Sequence, residues 1–276
     1  MIGLDDILRI GEWVEKEVCL YENDVCLRRY YRFRSSRHYG GSAVGDVVGC
    51  NLSCLYCWCW RINSAHRGGT LLSPEEVVTE LLSIARHNGY RVLRLSGGEP
   101  TLCFDHTVQV LEALKHLRHR KEVFVLETNG IVLGLRRDLV SMLRPYSSFL
   151  VVRVSLKGCS EGDFSRITGI EGSLFRYQIK AVENIISSGI SCRVAIPVSL
   201  CSRESAAELM EELSNKIGGR FIDFLEPEVL VLYPSVVRRM CGKGLKPWMA
   251  FDPVSKKIAK GEEVVELFKR VCSQQD

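Results

Sequence analysis

The chain has 276 residues, enough for one large domain with extensions around a sizeable core. It is 46% hydrophobic and 25% charged, as ordinary soluble globular proteins are, and its formal net charge of +4 does not by itself imply a nucleic-acid partner. The 12 cysteines are scattered, and outside one loop none forms a close C-x-x-C pair, which fits a reducing cytoplasm better than a disulfide framework. The acidic N-terminus lacks the basic-then-apolar pattern of a signal peptide, and no apolar run approaches membrane-spanning length. A cytoplasmic protein with no membrane partner is expected.

Leu4, Ile7, Leu8, Ile10, Val14 and Val18 recur at helical spacing and predict an N-terminal helix over 4–19. Residues 28–41 then interleave arginine with aromatic side chains, Arg28-Arg29-Tyr30-Tyr31-Arg32-Phe33-Arg34 foremost. Single-stranded nucleic-acid binders use such a mixture, pairing phosphate contacts with base stacking. An alternating edge strand, aromatics inward and arginines outward, gives the same pattern. A third use for these arginines is to grip anionic groups of a substrate.

From residue 43 the pattern alternates between strand and helix with short turns, the mark of a parallel sheet built of βα units. Strand one is predicted over 43–49, strand two over 90–96, strand three over 123–127, strand four over 148–156 and strand five over 191–200. Strand six is predicted to begin at 220–224, with extended chain through 233. The helix after strand one opens with Ser73-Pro74-Glu75-Glu76, a serine cap with proline in the first turn and glutamate three residues on. Further helices are predicted at 107–117, 137–143, 174–187 and 204–217. The tail reads as a Gly/Pro/Lys-rich loop over 242–253 and a terminal helix over 262–271.

Six βα units fall short of the eight in a closed barrel. The predicted fold is therefore α/β: a partial (βα)6 TIM-like open barrel over 43–235, with an N-terminal helix and strand extension over 1–42 and a C-terminal helical tail over 236–276.

Ligands of such folds gather at the C-terminal ends of the strands. After strand one stands Cys50-Asn51-Leu52-Ser53-Cys54-Leu55-Tyr56-Cys57. Three thiolates on one loop can wrap a metal centre; three sulfurs on a four-iron cubane leave one iron open to a small molecule. A structural zinc with Cys59 as fourth ligand competes with that reading. After strand two comes Ser96-Gly97-Gly98-Glu99-Pro100, where the glycines admit close backbone approach and a carboxylate can accept from an ammonium group. Thr128, Asn129 and Gly130 follow strand three, and Lys157 and Gly158 follow strand four. Threonine and asparagine suit ribose hydroxyls, and lysine suits a carboxylate.

In their order along the chain, these motifs resemble the radical S-adenosylmethionine (SAM) superfamily over about residues 43–200. The resemblance implies that Cys50, Cys54 and Cys57 hold a [4Fe–4S] cluster and are catalytic through it. It implies that Gly97, Gly98 and Glu99 hold the methionine amino group of SAM, Thr128 and Asn129 its ribose, and Lys157 its carboxylate. Tyr56 matches the aromatic that packs near adenine. It further implies a reduced flavodoxin- or ferredoxin-like electron donor and a 5′-deoxyadenosyl radical that abstracts hydrogen from a protein, RNA or small-molecule substrate.

Chain size and Lys157 resemble glycyl-radical-enzyme activating enzymes. The stretch around Cys57-Trp58-Cys59-Trp60-Arg61 resembles uncharacterised archaeal radical SAM proteins, and Trp58 the enzymes that build wybutosine in tRNA. An activase-like oxidoreductase is the expectation, an RNA- or nucleoside-modifying enzyme the first alternative, and a non-catalytic zinc- or cluster-stabilised binding protein the second. No second cluster motif is visible, and Cys159, Cys192, Cys201 and Cys241 read as dispersed core cysteines.

Overall fold

The computed structural model describes residues 1–118 and 122–273. The chain opens with α1 (Leu4–Val18), followed by β1 (Cys19–Glu22), β2 (Val25–Ser36) and β3 (Ser42–Val47). After the cysteine loop come α2 (Trp60–Ala65), β4 (Thr70–Leu72), α3 (Pro74–Asn88), β5 (Val92–Gly97) and α4 (Phe104–Leu117). Then follow β6 (Val123–Thr128), α5 (Ile131–Leu135), α6 (Arg137–Leu143), β7 (Leu150–Ser155), α7 (Glu161–Thr168) and α8 (Phe175–Ser187). The last part holds β8 (Ser191–Ile196), α9 (Arg203–Ile217), β9 (Leu225–Pro227), α10 (Pro234–Cys241), β10 (Met249–Asp252), β11 (Lys257–Lys260) and α11 (Glu262–Cys272).

Strands β3, β5, β6, β7, β8 and β9 pair in that order and in parallel. Strand β2 joins β3 antiparallel, with β1 and β4 along its other edge, and the outermost strands β1 and β9 do not pair. The result is a partial barrel of six parallel strands that stays open. Across the opening, the Tyr39 hydroxyl donates to the Glu226 carboxylate at 3.1 Å.

Local chemistry accounts for the elements. Helix α3 starts with the capping box read in the sequence: Glu76 N–H donates to Ser73 Oγ at 3.2 Å, and Ser73 N–H to the Glu76 carboxylate at 2.7 Å. It ends where Gly89 takes a φ of 69°, a left-handed cap. Strand β7 alternates: Leu150, Val152 and Val154 are buried, whereas Arg153 and Ser155 line the barrel interior. A closed eight-stranded barrel fills its interior with branched apolar side chains. Here Arg94, Ser96, Glu127, Arg153 and Glu226 point inward instead and leave a cavity.

Several expectations are corrected. Residues 219–224 form a 3-10 turn, and the sixth parallel strand is β9, a short segment just beyond. The apolar Phe221 and Ile222 suggested a strand, but the flanking Gly218 and Gly219 let the chain coil before it reaches the sheet. The tail loop contains strand β10, paired with β11 as a hairpin. Strand β2 is an inner strand, so Arg28 is buried together with Tyr30 instead of facing outward. The cysteines are not dispersed: Cys19 meets Cys103, Cys159 meets Cys201 and Cys241 meets Cys272, with Cα separations of 6.4, 5.6 and 6.2 Å, which disulfides span. Cys192 alone of the expected core set stays a free buried thiol.

Candidate functional site

The loop that leaves β3 turns at Gly49, whose φ of +87° excludes most side chains, and then presents Cys50, Cys54 and Cys57. It is held from several directions. Gly49 N–H donates to Asn63 Oδ1 at 3.2 Å, and Leu55 N–H to the Ile167 carbonyl at 2.9 Å. From α10, Arg239 donates to the carbonyls of Leu55, at 3.3 Å, and Cys57. From β2, the buried Arg28 donates to the Val48 carbonyl at 2.7 Å and the Glu99 carbonyl at 3.2 Å. Burial brings its guanidinium down to about 10.

The Gly-Gly-Glu turn lies directly on this loop. Gly98 N–H donates to the Val47 carbonyl at 2.9 Å, and Glu99 N–H to the Gly49 carbonyl at 2.7 Å. The Glu99 carboxylate is buried and crosses to the end of β6. One of its oxygens accepts from Thr101 Oγ1 at 2.6 Å and Thr128 Oγ1 at 2.7 Å, the other from Asn129 N–H at 2.6 Å. Asn129 Nδ2 in turn donates to Asn51 Oδ1 at 2.8 Å, beside Cys50. Three strand ends are thus tied into one polar cradle.

Lys157 closes the fourth side. Its ammonium donates to Ser155 Oγ at 2.7 Å and lies 5.9 Å from the centre of the Tyr56 ring. Burial works against its charge, but Tyr56, Cys54 and Glu228 outweigh burial and raise its pKa above the ordinary lysine value. Burial pushes Cys50 up and takes Cys54 up to about 11. Cys57 behaves differently. A hydrogen bond with the Cys59 thiol, 3.5 Å away, brings it down to about 7 against the effect of burial, and pushes Cys59 up. Two of the three thiols therefore need a bound cation's charge to ionise near neutral pH.

Every site residue expected from the sequence — Cys50, Cys54, Cys57, Tyr56, Gly97, Gly98, Glu99, Thr128, Asn129 and Lys157 — lines a single pocket of about 180 Å³. The Tyr56 hydroxyl is buried there without a hydrogen-bond partner. Among the described residues, the only three ligand side chains whose donor atoms lie within 4.8 Å of one another are Cys159, Asp163 and Cys201. No trio drawn from Cys50, Cys54, Cys57 and Cys59 has all its sulfurs within 4.8 Å of one another, and three cysteines on one loop are a donor set that a four-iron cubane takes. The donor set fits a three-cysteine cluster.

Four further residues belong to the site. Asn63 Nδ2 donates to Cys59 Sγ at 3.2 Å and the Gly97 carbonyl at 3.3 Å. Gln178, fully buried on α8, donates to the Asn129 carbonyl and accepts from Lys157 N–H at 2.9 Å, joining the ends of β6 and β7. Arg28 and Arg239 complete the set. Gln178 had a signal, a polar residue inside the apolar stripe of Phe175, Ile179 and Val182; Asn63 and Arg239 had none.

A family model described as the radical SAM superfamily matches residues 46–213. A probable GTP 3′,8-cyclase of Saccharolobus solfataricus is 29% identical over 178 residues, covering 64% of this chain and 53% of that protein. One from Sulfurisphaera tokodaii is 31% identical over 141 residues, covering 51% and 41%. The chain spans about half the length of the curated relatives it matches. Among solved structures, spore photoproduct lyase complexed with a dinucleoside spore photoproduct is similar with a TM-score of 0.58 at 12% identity, over 90% of this chain and 76% of that one. Streptococcus suis SuiB is similar with a TM-score of 0.51 at 19% identity, over 83% and 45%. These two likenesses show a shared fold.

Proposed function

The chain belongs to the radical SAM superfamily, and on that footing we propose that it binds a [4Fe–4S] cluster through Cys50, Cys54 and Cys57 and cleaves SAM reductively. Members of the superfamily use this cluster together with SAM. The group, when bound, supplies the electron that breaks a carbon–sulfur bond of SAM and yields a radical able to abstract hydrogen. The observation that carries the reading is the single pocket on which the cysteine loop, the Gly-Gly-Glu turn, Thr128, Asn129 and Lys157 converge.

The chain's own residues bind and orient. Glu99 keeps Asn129 and Thr128 fixed relative to the cysteine loop, so that cofactor contacts from three strands move as one body. The Lys157 ammonium faces the pocket and suits the SAM carboxylate. The unpartnered Tyr56 hydroxyl and its ring suit adenine. Arg239 places positive charge against the carbonyls of the cysteine loop, which tunes the potential of a group bound there.

The substrate we propose is a small molecule in the barrel interior. Chain size and Lys157 favour an activase-like role, whereas the named relatives are probable GTP 3′,8-cyclases, whose name gives a nucleotide as what they act on. An RNA-modifying role rested on the basic–aromatic segment. In the fold Arg28 is buried and Arg29 bonds the Glu17 carbonyl at 3.2 Å, so these two do not extend Arg32 and Arg34 into one exposed basic stripe. A reduced flavodoxin- or ferredoxin-like protein is the proposed electron donor.

The test is anaerobic reconstitution with iron and sulfide, followed by dithionite and SAM. Reductant-dependent 5′-deoxyadenosine that disappears in Cys54→Ala supports the function. Equal cleavage by Cys54→Ala refutes the ligand assignment.

A further inference from the structure

Next to the cysteine pocket the barrel interior widens into a cavity of about 700 Å³, and Tyr56, Trp58, Ser96, Glu127, Arg153 and Glu228 line both spaces. That volume is of the size that takes a small ligand. Its charges are paired unevenly. Arg94 is committed to Glu127, and Arg153 to Glu226 and Glu228 at 2.6 and 2.8 Å. Arg193 reaches Glu226 at 4.0 Å, so this half of the cavity is balanced.

Arg32 and Arg34 differ. They share one carboxylate, Asp46, at 2.6 and 2.7 Å, and its side chain is 0% exposed. Arg34 meets both Asp46 oxygens and by itself compensates the charge. One positive charge is left over. Arg32 bonds Asp46 through Nε alone, and its side chain is 43% exposed. Its terminal amino groups lie beside the Tyr31 and Trp58 rings, with Tyr31 and, among the described residues, no second carboxylate as their neighbour. A guanidinium with its outer edge free at the wall of a cavity is a ready fork for an oxyanion, and cavity walls concentrate its field.

We propose that this cavity takes a small organic anion as substrate, its phosphate or carboxylate head on the free edge of Arg32 beside Trp58. The rest of the molecule extends past Arg153 and Glu228 into the pocket of Cys57 and Lys157. The inference rests on the proposed SAM-cleaving function and adds the substrate class. Arg32 is the specificity residue; Arg34 holds Asp46 so that Arg32 is spare.

The test is anaerobic titration calorimetry on the cluster-loaded enzyme saturated with SAM. The probes are GTP, glycerol 3-phosphate and malate, with guanosine and glycerol as uncharged controls. At least one anion binds and the controls do not, and Arg32→Gln weakens that binding by about tenfold or more. A phosphate probe or malate as the better ligand identifies the head group. Arg32→Lys, which keeps the charge and loses the fork, is weakened less and serves if the glutamine variant does not fold. Anions that bind no better than the controls, or an unchanged affinity in both variants, overturn the proposal. Wild-type release of 5′-deoxyadenosine without substrate reports separately on SAM cleavage, so the two failures are told apart.

Discussion

A Cβ built on Gly98 would lie 2.1 Å from the carbonyl oxygen of Gly49. The turn after β5 and the loop after β3 are therefore pressed backbone against backbone, and the glycine serves the chain's own packing before it serves any ligand. The same contact sets the height of Glu99, whose N–H donates to that carbonyl.

Gly98→Ala forces these two backbones apart. Reconstituted iron per chain should fall well below that of the wild type, and the melting temperature should drop by several degrees. Both are read from purified protein by iron assay and thermal melt.

Gln178→Leu keeps the volume in the core but strands the Asn129 carbonyl and the Lys157 N–H. An unpaired buried polar group costs about 1–3 kcal/mol. The variant should melt lower by about 2–4 °C per kcal/mol and bind SAM more weakly, because the ends of β6 and β7 lose their common tie. An unchanged melt would show that water replaces the amide.

Arg239→Ala removes the donors to the Leu55 and Cys57 carbonyls while leaving all three ligand cysteines in the sequence. The cluster should still assemble and then be extracted by a chelator several times faster than in wild type. Arg239→Lys should fall between, since one ammonium cannot span both carbonyls as the fork does.

His106 gives the stability a pH dependence. Burial lowers its pKa to about 4 from an ordinary 6.5, while its ring nitrogens engage the Tyr30 hydroxyl and the Cys26 carbonyl. The folded state thus resists protonation that the unfolded chain accepts. The contribution is complete above pH 6.5 and declines as pH falls toward about 4, by about 3 kcal/mol in all. Unfolding midpoints in denaturant should decrease from pH 7 to pH 5, and His106→Gln should flatten that slope.

The sequence carried the site because its chemistry is local. Cysteine spacing, the Gly-Gly-Glu turn and Asn129 each occupy a few consecutive residues at a strand end, and a parallel sheet brings strand ends together. Gln178, Asn63 and Arg239 lie on helices and bond to turns and loops of other elements, so only the fold reveals them. Arg28 was legible as basic but not as buried, because its partners are backbone carbonyls that no pattern marks. The strand at β9 failed for a related reason: three residues are too short for periodicity to register.

The most direct measurement is spin resonance on the reduced, reconstituted protein with and without SAM. The account predicts a [4Fe–4S] signal that shifts when SAM is added and is lost in Cys50→Ala, Cys54→Ala and Cys57→Ala. A colourless protein that holds zinc and leaves SAM intact would contradict it.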